Sequence, residues 1–565
     1  MYSFSFSPKK DWTTLHPSGP EIAQYLADVC ERYGIVDKIQ LNTEIDELKW
    51  LEDVEEWQVT LTHLVPGTGE LARSDRKALV AEEGKRSVYV KTETLRAKVV
   101  VTGAGGLVEP NTWPKGVPGI EDYEGEVIHT AKWNNDVDLR GKDVVVIGSG
   151  CSAAQVMPGL DKHQPKSVTQ VMRSPPWIQP DPLSPRELRV WEMLAPFLMT
   201  KIPGLAYIAR AILFFKLEFD FVTVFKNSKL GQRQRDLKEQ EYLAYMRETA
   251  PKKYHDILTP DYSLGCKRRV IRGDWYKSLH HPNYELTTMR LTGVNSRSVI
   301  LGPGKNYPKD SPATDEVRKV PADAIILANG FETNNWLHPL RVVGRGGKSM
   351  DELWEERGGA QAYLGIAMDH FPNFFVIFGP NNATGHTSVI FATENAVNYS
   401  MNFIKPILDG DVSTCEITEN AERAWTDKVQ DGLQGTVFRR GACTSWYQTE
   451  GGWNSSTYPY VPTSLLDQSI NQLIVYRFTQ IDYYFRCAFP VWRHWAMKYT
   501  PKGRWSQGIR SAIRRLAFVA LVSGLVWATR HPQDAKQWAQ YVLDARASIV
   551  SVIRDSLQRV SSMLA

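Results

Sequence analysis

Apolar and polar positions along the chain switch between helical and alternating periods, and the switches mark its elements. Behind Ser18-Gly-Pro-Glu, residues Ile22, Tyr25, Leu26 and Val29 recur at helical spacing, which predicts an amphipathic helix over 19–29 with Pro20 in its first turn. Lys38–Ile45 and Trp57–Thr62 alternate and predict short antiparallel strands. The charged stretch Gly67–Arg86 predicts a solvated loop, and Val88–Thr102 returns to strand character, ending in Val99-Val-Val-Thr-Gly-Ala-Gly-Gly106. The unbroken apolar run Val144–Ile147 predicts a strand buried on both faces, leading through Gly148-Ser-Gly150 into a helix. Long helical periodicity fills 185–264, broken at Pro203-Gly204. A second mixed α/β stretch, 266–331, closes with the strand 323–328. The strand 374–378 and a helix from Val389 follow, and no repeat of 20–50 residues is present.

The last ninety residues differ. Tyr476–Tyr499 is crowded with aromatics and arginines, and Leu516–Thr529 is 14 residues without a charge between Arg515 and Arg530. Spanning a bilayer takes about 20 apolar residues, so this segment is read either as membrane contact through 476–529 or as a helix buried or docked on the chain. The whole chain has 565 residues, 42% hydrophobic and 23% charged, with a net charge of +4. That balance excludes a disordered chain and gives no sign of a nucleic-acid partner. Six cysteines are scattered without CxxC pairs, which predicts free thiols in a reducing compartment, no metal site and a cytoplasmic location. The N-terminus lacks the basic and apolar regions of a secretory signal.

Gly148-Ser-Gly150-Cys-Ser-Ala153 is a GxGxxA loop in the strand-to-helix context a dinucleotide requires. The first glycine permits the tight turn, the second lets a pyrophosphate reach the backbone, and Ala153 lets helix and strand pack closely. Ser149, Gly150, Cys151, Ser152, Ala153, Ala154 and Gln155 are thus candidate cofactor contacts. In such sites an acid after the second strand binds the ribose hydroxyl, whereas an arginine accommodates a 2′-phosphate. Here the second strand, Ser167–Met172, ends in Arg173-Ser174, which favours NADPH.

Upstream, Tyr123, Gly125, His129 and Trp133 resemble the FxGxxxHxxxW fingerprint of Baeyer–Villiger monooxygenases, with Tyr123 for the usual Phe and Asn134 for the usual Pro or Asp. The resemblance runs through Tyr2-Ser-Phe-Ser-Phe6, Asn42–Ile45, Gly103 to Pro110, Cys266-Lys-Arg268, Ala328–Phe331 and Phe371–Pro380, and covers roughly 2–470. It implies a class B flavoprotein monooxygenase in which NADPH reduces FAD and the flavin carries one oxygen from O2 to a hydrophobic ketone, giving an ester or lactone. The substrate class expected is a polyketide or terpenoid intermediate of secondary metabolism. The implied fold is α/β, with two interleaved Rossmann-like dinucleotide-binding domains, a helical insertion and a C-terminal helical extension. The expected segments are FAD domain 1–139 and 341–470, NADPH domain 140–185 and 265–340, insertion 186–264 and extension 471–565. By motif position, Lys267 is implied to bind the NADPH 2′-phosphate. Arg268 is implied to be the catalytic arginine and to contact NADP, with Arg269 and Arg272 as neighbouring alternatives. His129 is implied to be a linker between domains, and Tyr2, Ile45 and Val389 to contact FAD.

The sequence departs from the family in its first part. The family's first GxGxxG loop for FAD, the acid that follows it, and an aspartate before the Tyr-Ser-Phe segment are not present, and Gly103-Ala-Gly-Gly106 does not open a helix. The expectation is an incomplete product of a longer gene. The other reading is a truncated, catalytically silent NADP(H)-binding or membrane-associated protein, and a third is an N- or S-oxygenating flavin monooxygenase.

Overall fold

The computed structural model describes residues 2–544 apart from 72, 306, 309–310, 383–387, 450, 459–478, 535, 538–539 and 542–543. The expected boundary at 470/471 and the first residues of 476–529 lie outside the described residues. The chain divides into two compact units, Met1–Lys405 with Thr414–Ala496, and Pro406–Ser413 with Met497–Ala565.

The first unit opens with helix α1 (Gly19–Arg32), capped by the Ser18 side chain on the Glu21 amide, with Tyr25 and Val29 on its buried face. Strands β1 (Thr43–Leu51), β2 (Glu56–Leu64) and β3 (Tyr89–Ala97) form an antiparallel sheet. The predicted strand 38–45 therefore lies further along the chain, where Leu48 and Trp50 alternate inward against Trp57 and Val59. The predicted loop 67–86 contains helix α2 (Arg73–Glu83). The 8% exposed Arg76 ties this helix to Glu44 of β1 by a bidentate pair at 3.0 and 3.2 Å, a long-range contact that composition does not reveal.

The run predicted as one strand, 88–102, is divided between two sheets. Strand β3 stays in the antiparallel sheet, while β4 (Val100–Thr102) pairs in parallel with the strand at Phe374–Val376. Gly103–Gly106 follows β4 without opening a helix, as the sequence predicts.

A five-stranded parallel sheet carries the Gly-rich loop. It comprises β5 (Glu126–His129), β6 (Asp143–Ile147), β7 (Ser167–Val171), β8 (Tyr284–Thr287) and the strand Ala324–Leu327, which lies between β5 and β6. The expected segment boundary at 139/140 thus falls inside this sheet, because β5 is one of its strands. Val144 and Val146 of β6 enter one apolar cluster with Ile326, Ala153 and Ala154, while Val145 and Ile147 enter another with Ile325 and Leu327. Both faces of the central strand are covered, the arrangement a parallel sheet requires.

Helix α3 (Cys151–Gly159) follows β6 directly. The helical insertion consists of α4 (Pro185–Lys201), α5 (Leu205–Asp220), a single π-helical turn at Phe221–Phe225, and α6 (Lys229–Thr249). Ser184 and Glu187 form a capping box at the start of α4, and Gly204, at φ +82°, makes the predicted break.

In the second unit, Thr500 caps the helix Pro501–Arg530 on the Gly503 amide and donates to the Gly410 carbonyl at 2.8 Å. Trp505, Ile513, Leu516, Phe518 and Val519 are all exposed, so the reading of Leu516–Thr529 as a buried helix is corrected.

One buried charge cluster in the first unit carries a pH dependence. The Arg357 guanidinium, 5% exposed, lies between Asp369 at 2.6 Å and Glu422 at 2.9 Å, while His370 adds a 2.8 Å contact to Asp369. The guanidinium also lies 3.9 Å from Glu419, and Asp369, with two bonds of 2.6 and 2.9 Å, has the best-paired position. Burial therefore pushes Glu422 up to about 7 from an ordinary 4.5, against the pull of Arg357. The folded state keeps a proton that the unfolded chain releases near 4.5, so this contribution to stability falls as pH rises from about 4.5 to about 7 and then levels off. Glu422→Gln is expected to gain stability relative to the parent, on the order of 2 kcal/mol, between pH 5 and 8 in denaturant melts. A parent-to-variant difference that stays constant over that range would refute the assignment.

Candidate nucleotide-binding site

The end of β6 forms a cradle for a phosphate. Gly148 has φ +130°, and a Cβ there would lie 2.3 Å from the Ala328 carbonyl oxygen, so any side chain would collide with the neighbouring strand. A Cβ on Gly150 would meet nothing within 4 Å, which leaves its backbone open to a ligand at the N-terminus of α3. Ala153 and Ala154 are fully buried against the sheet. The loop is pinned from below, where the Gln170 side-chain amide donates to the Gly148 carbonyl at 2.8 Å and the Trp275 indole donates to the other end of Gln170 at 2.9 Å. Sequence reasoning missed Gln170, a polar residue in an apolar strand.

The chain then gathers three segments at this cradle. Ser149 Oγ donates to the Ser174 carbonyl at 2.8 Å, and Lys267 Nζ donates to Ser174 Oγ at 2.7 Å. Arg173, next to Ser174 in the chain, is exposed. The loop after β6, the end of β7 and the 262–268 segment thus meet through Ser149, Ser174 and Lys267.

The cations of this segment separate by partner. Arg269 pairs with Asp220 at 3.1 Å and lies over the Phe225 ring. Arg272 pairs with Asp274 through two bonds of 3.0 and 2.6 Å. Arg268 is exposed and has no acidic partner among the described residues. Its field reaches Cys151, whose thiol burial pushes up against the opposing guanidinium. It also reaches Tyr447, whose phenol burial pushes up to about 12 against the same pull.

Cys266, next to Lys267, forms a disulfide with Cys443, which corrects the expectation that all six cysteines are free thiols. The two residues are 177 positions apart, and no motif spacing signals their approach. Cys30, Cys151, Cys415 and Cys487 are free.

The fingerprint residues have structural roles. The Tyr123 hydroxyl donates to the Ala322 carbonyl at 3.1 Å, and a Cβ on Gly125 would fall 2.3 Å from that hydroxyl and 2.6 Å from the Asp323 carbonyl. His129 ends β5, where its Nδ1 accepts from the Ala131 amide at 3.0 Å and its ring meets Phe331 edge-on. Burial pulls its imidazole pKa down. Trp133 packs against the sheet core and His163.

The remaining candidates lie apart from the cradle. Tyr2 meets Trp12 edge-on, and the following residues run against α5 and helix α7 (Val389–Leu408). Arg210 donates to the Ser3 carbonyl at 3.0 Å, and the Ser5 amide donates to Glu394 at 2.6 Å. Val389 begins α7, and Ile45 stands on β1 opposite Leu61. The residues at 148–155, Arg173, Ser174 and Lys267 fit NADPH: an open backbone for the pyrophosphate and two cations for the 2′-phosphate. Tyr2, Ile45 and Val389 offer exposed positions for FAD. Among the described residues, however, a Gly-rich loop opens a helix only at 148–153, so a phosphate cradle for FAD is not assigned.

The flavin-binding monooxygenase-like family model matches residues 20–180. A Baeyer–Villiger monooxygenase of Pseudomonas aeruginosa is 30% identical over 470 residues, 81% of this chain and 77% of the relative. The FAD-binding monooxygenase ktnD of Aspergillus niger is 29% identical over 463 residues, 81% of this chain and 69% of that protein. In fold, the chain matches cyclohexanone monooxygenase from Rhodococcus sp. Phi1 bound to NADP+, with a TM-score of 0.63 at 21% identity over 88% of this chain and 89% of the other.

The contact of Lys267 with Ser174, next to Arg173 in the chain, leads to a binding test. Arg173→Ala and Lys267→Ala should each weaken NADP+ by about 10-fold or more in titration calorimetry while changing NAD+ little. Equal losses for the two nucleotides would remove the 2′-phosphate assignment.

Proposed function

We propose, from the premise that the chain belongs to the class B flavoprotein monooxygenases of the Baeyer–Villiger group, which use FAD and NADPH, that it inserts one oxygen atom from O2 into a hydrophobic ketone to give an ester or lactone. The observation that carries this reading is the separation of the cations: Lys267 is held at the nucleotide loop, Arg269 and Arg272 are paired with carboxylates, and Arg268 is free of an acidic partner among the described residues. FAD, when bound, supplies the oxygen chemistry, and NADPH supplies the electrons. Arg173 and Lys267 hold the 2′-phosphate, and the amides of Ser149–Gln155 face the pyrophosphate. The Arg268 guanidinium stabilises negative charge developing on the reacting oxygens and contacts the nicotinamide nucleotide. Tyr2, Ile45 and Val389 would contact the flavin when it is bound. The 18 Trp, 23 Tyr and 20 Phe suit a bulky polyketide or terpenoid intermediate of secondary metabolism as substrate.

We place the enzyme in the cytoplasm, with its C-terminal helix at a membrane surface. The helix Pro501–Arg530 carries six Lys or Arg and no acid, and it is long and apolar enough to cross a bilayer. Its charge-free stretch runs for 14 residues between Arg515 and Arg530, and the exposed Trp505 and Trp527 beside basic residues suit the interface plane.

Two experiments test these readings. The purified chain should show a bound-flavin absorbance spectrum, and Arg268→Ala should keep flavin reduction by NADPH while lowering ester formation at least about 100-fold. Absence of flavin would favour the silent NADP(H)-binding reading, and normal ester yield would remove Arg268 from its role. In flotation assays, the full chain should rise with phosphatidylserine vesicles far more than with neutral ones, and Ile513→Glu with Val519→Glu should abolish this. Recovery that is equal with the two lipids, or unchanged in the variant, would refute the membrane placement.

A further inference from the structure

The 2′-phosphate site draws its cations from segments over ninety residues apart, and a buried tyrosine touches both. Tyr262 is 5% exposed. Its hydroxyl donates to the Pro175 carbonyl at 2.8 Å, directly after Arg173-Ser174, and its ring lies under Lys267 with Nζ 4.5 Å from the ring centre. The Trp177 indole donates to the Tyr262 carbonyl at 3.0 Å, and the Val270 amide donates to the Trp177 carbonyl at 3.0 Å, so the two segments are joined on both sides of the tyrosine.

A lysine ammonium on a four-carbon stem has many rotamers and is strongly hydrated, so a binding site must restrict where it goes. The aromatic face attracts the cation without neutralising it, unlike a carboxylate. Lys267 is thus held against Ser174 at the nucleotide loop, whereas Arg269 is paired with Asp220.

We propose that Tyr262 is a positioning residue that sets the preference for NADPH over NADH, its ring orienting Lys267 and its hydroxyl fixing the Arg173-Ser174-Pro175 turn. This rests on Lys267 as the 2′-phosphate ligand. The face of the ring carries most of the effect and the hydroxyl the smaller part, because the Pro175 segment has further backbone ties to 270.

The test compares Tyr262→Leu, Tyr262→Phe and Lys267→Ala in the full chain, reading the dissociation constants of NADP+ and NAD+ by titration calorimetry and the melting temperature as a check on folding. Tyr262→Leu should weaken NADP+ by about 3- to 10-fold with NAD+ changed less than about 2-fold. Tyr262→Phe should restore most of the NADP+ preference, and adding Lys267→Ala to Tyr262→Leu should cost less than Lys267→Ala costs alone. Equal weakening of the two nucleotides by Tyr262→Leu, or additive losses in the double variant, would overturn the proposal. Should Tyr262→Leu fail to fold, Tyr262→Phe and Tyr262→Trp decide, since both keep an aromatic face and should keep the NADP+ preference; loss of that preference in either would also overturn it. If Lys267→Ala leaves the preference intact, the underlying assignment of Lys267 fails, and this is distinguishable because Lys267→Ala is read independently of every Tyr262 variant.

Discussion

The nucleotide site depends on one close approach: the backbone at Gly148 passes so near the Ala328 carbonyl that no Cβ fits between them. That contact exists because β6 and the strand Ala324–Leu327 pair in parallel over their full register, Val144 to Ala324 through Ile147 to Leu327. The chain must then turn sharply upward, and only a glycine at positive φ makes the turn there. Everything above follows from this point. Helix α3 starts at Cys151, its amides face the same opening, and Ser149 reaches the end of β7.

The buried half of this arrangement was legible in the sequence. Alternate valines of β6 enter opposite clusters, so the unbroken apolar run correctly announced a strand covered on both faces, and the GxGxxA spacing gave the loop. Elements fixed by distant partners were not legible. Helix α2 was hidden in a charged stretch because Arg76 finds Glu44 across the fold. The run 88–102 read as one strand because alternation does not say which sheet a residue joins, and it divides where Asn373 takes up the chain: the Asn373 carbonyl accepts from the Val100 amide and its side chain donates to the Lys98 carbonyl. The disulfide of Cys266 with Cys443 was invisible for the same reason, since 177 residues separate its ends.

The site itself divides along the same line. Sequence alone placed four cations within 267–272 and had no means of ranking them. Their partners rank them, because a carboxylate that satisfies a guanidinium also removes it from solvent chemistry. Asp220 lies at the end of α5 and Asp274 directly after Gly273, and between them they account for Arg269 and Arg272. The ring of Tyr262 and the hydroxyl of Ser174 orient Lys267 without cancelling its charge. Arg268 is distinguished by what it lacks among the described residues, a property that belongs to the fold rather than to the motif.

A fingerprint and a catalytic residue report different things. Tyr123 and Gly125 pack against Ala322 and Asp323, where the Tyr123 ring leaves no room for a larger residue at 125, and His129 closes the adjoining turn through the Ala131 amide. These residues locate β5 on the edge of the parallel sheet, so their spacing is constrained by packing and is readable without a structure. Arg173 and Arg268 are exposed, and neither packs into a cluster that would dictate its identity. The motif most easily recognised therefore describes the scaffold, whereas Arg173 and Arg268 stand where packing leaves side-chain identity open.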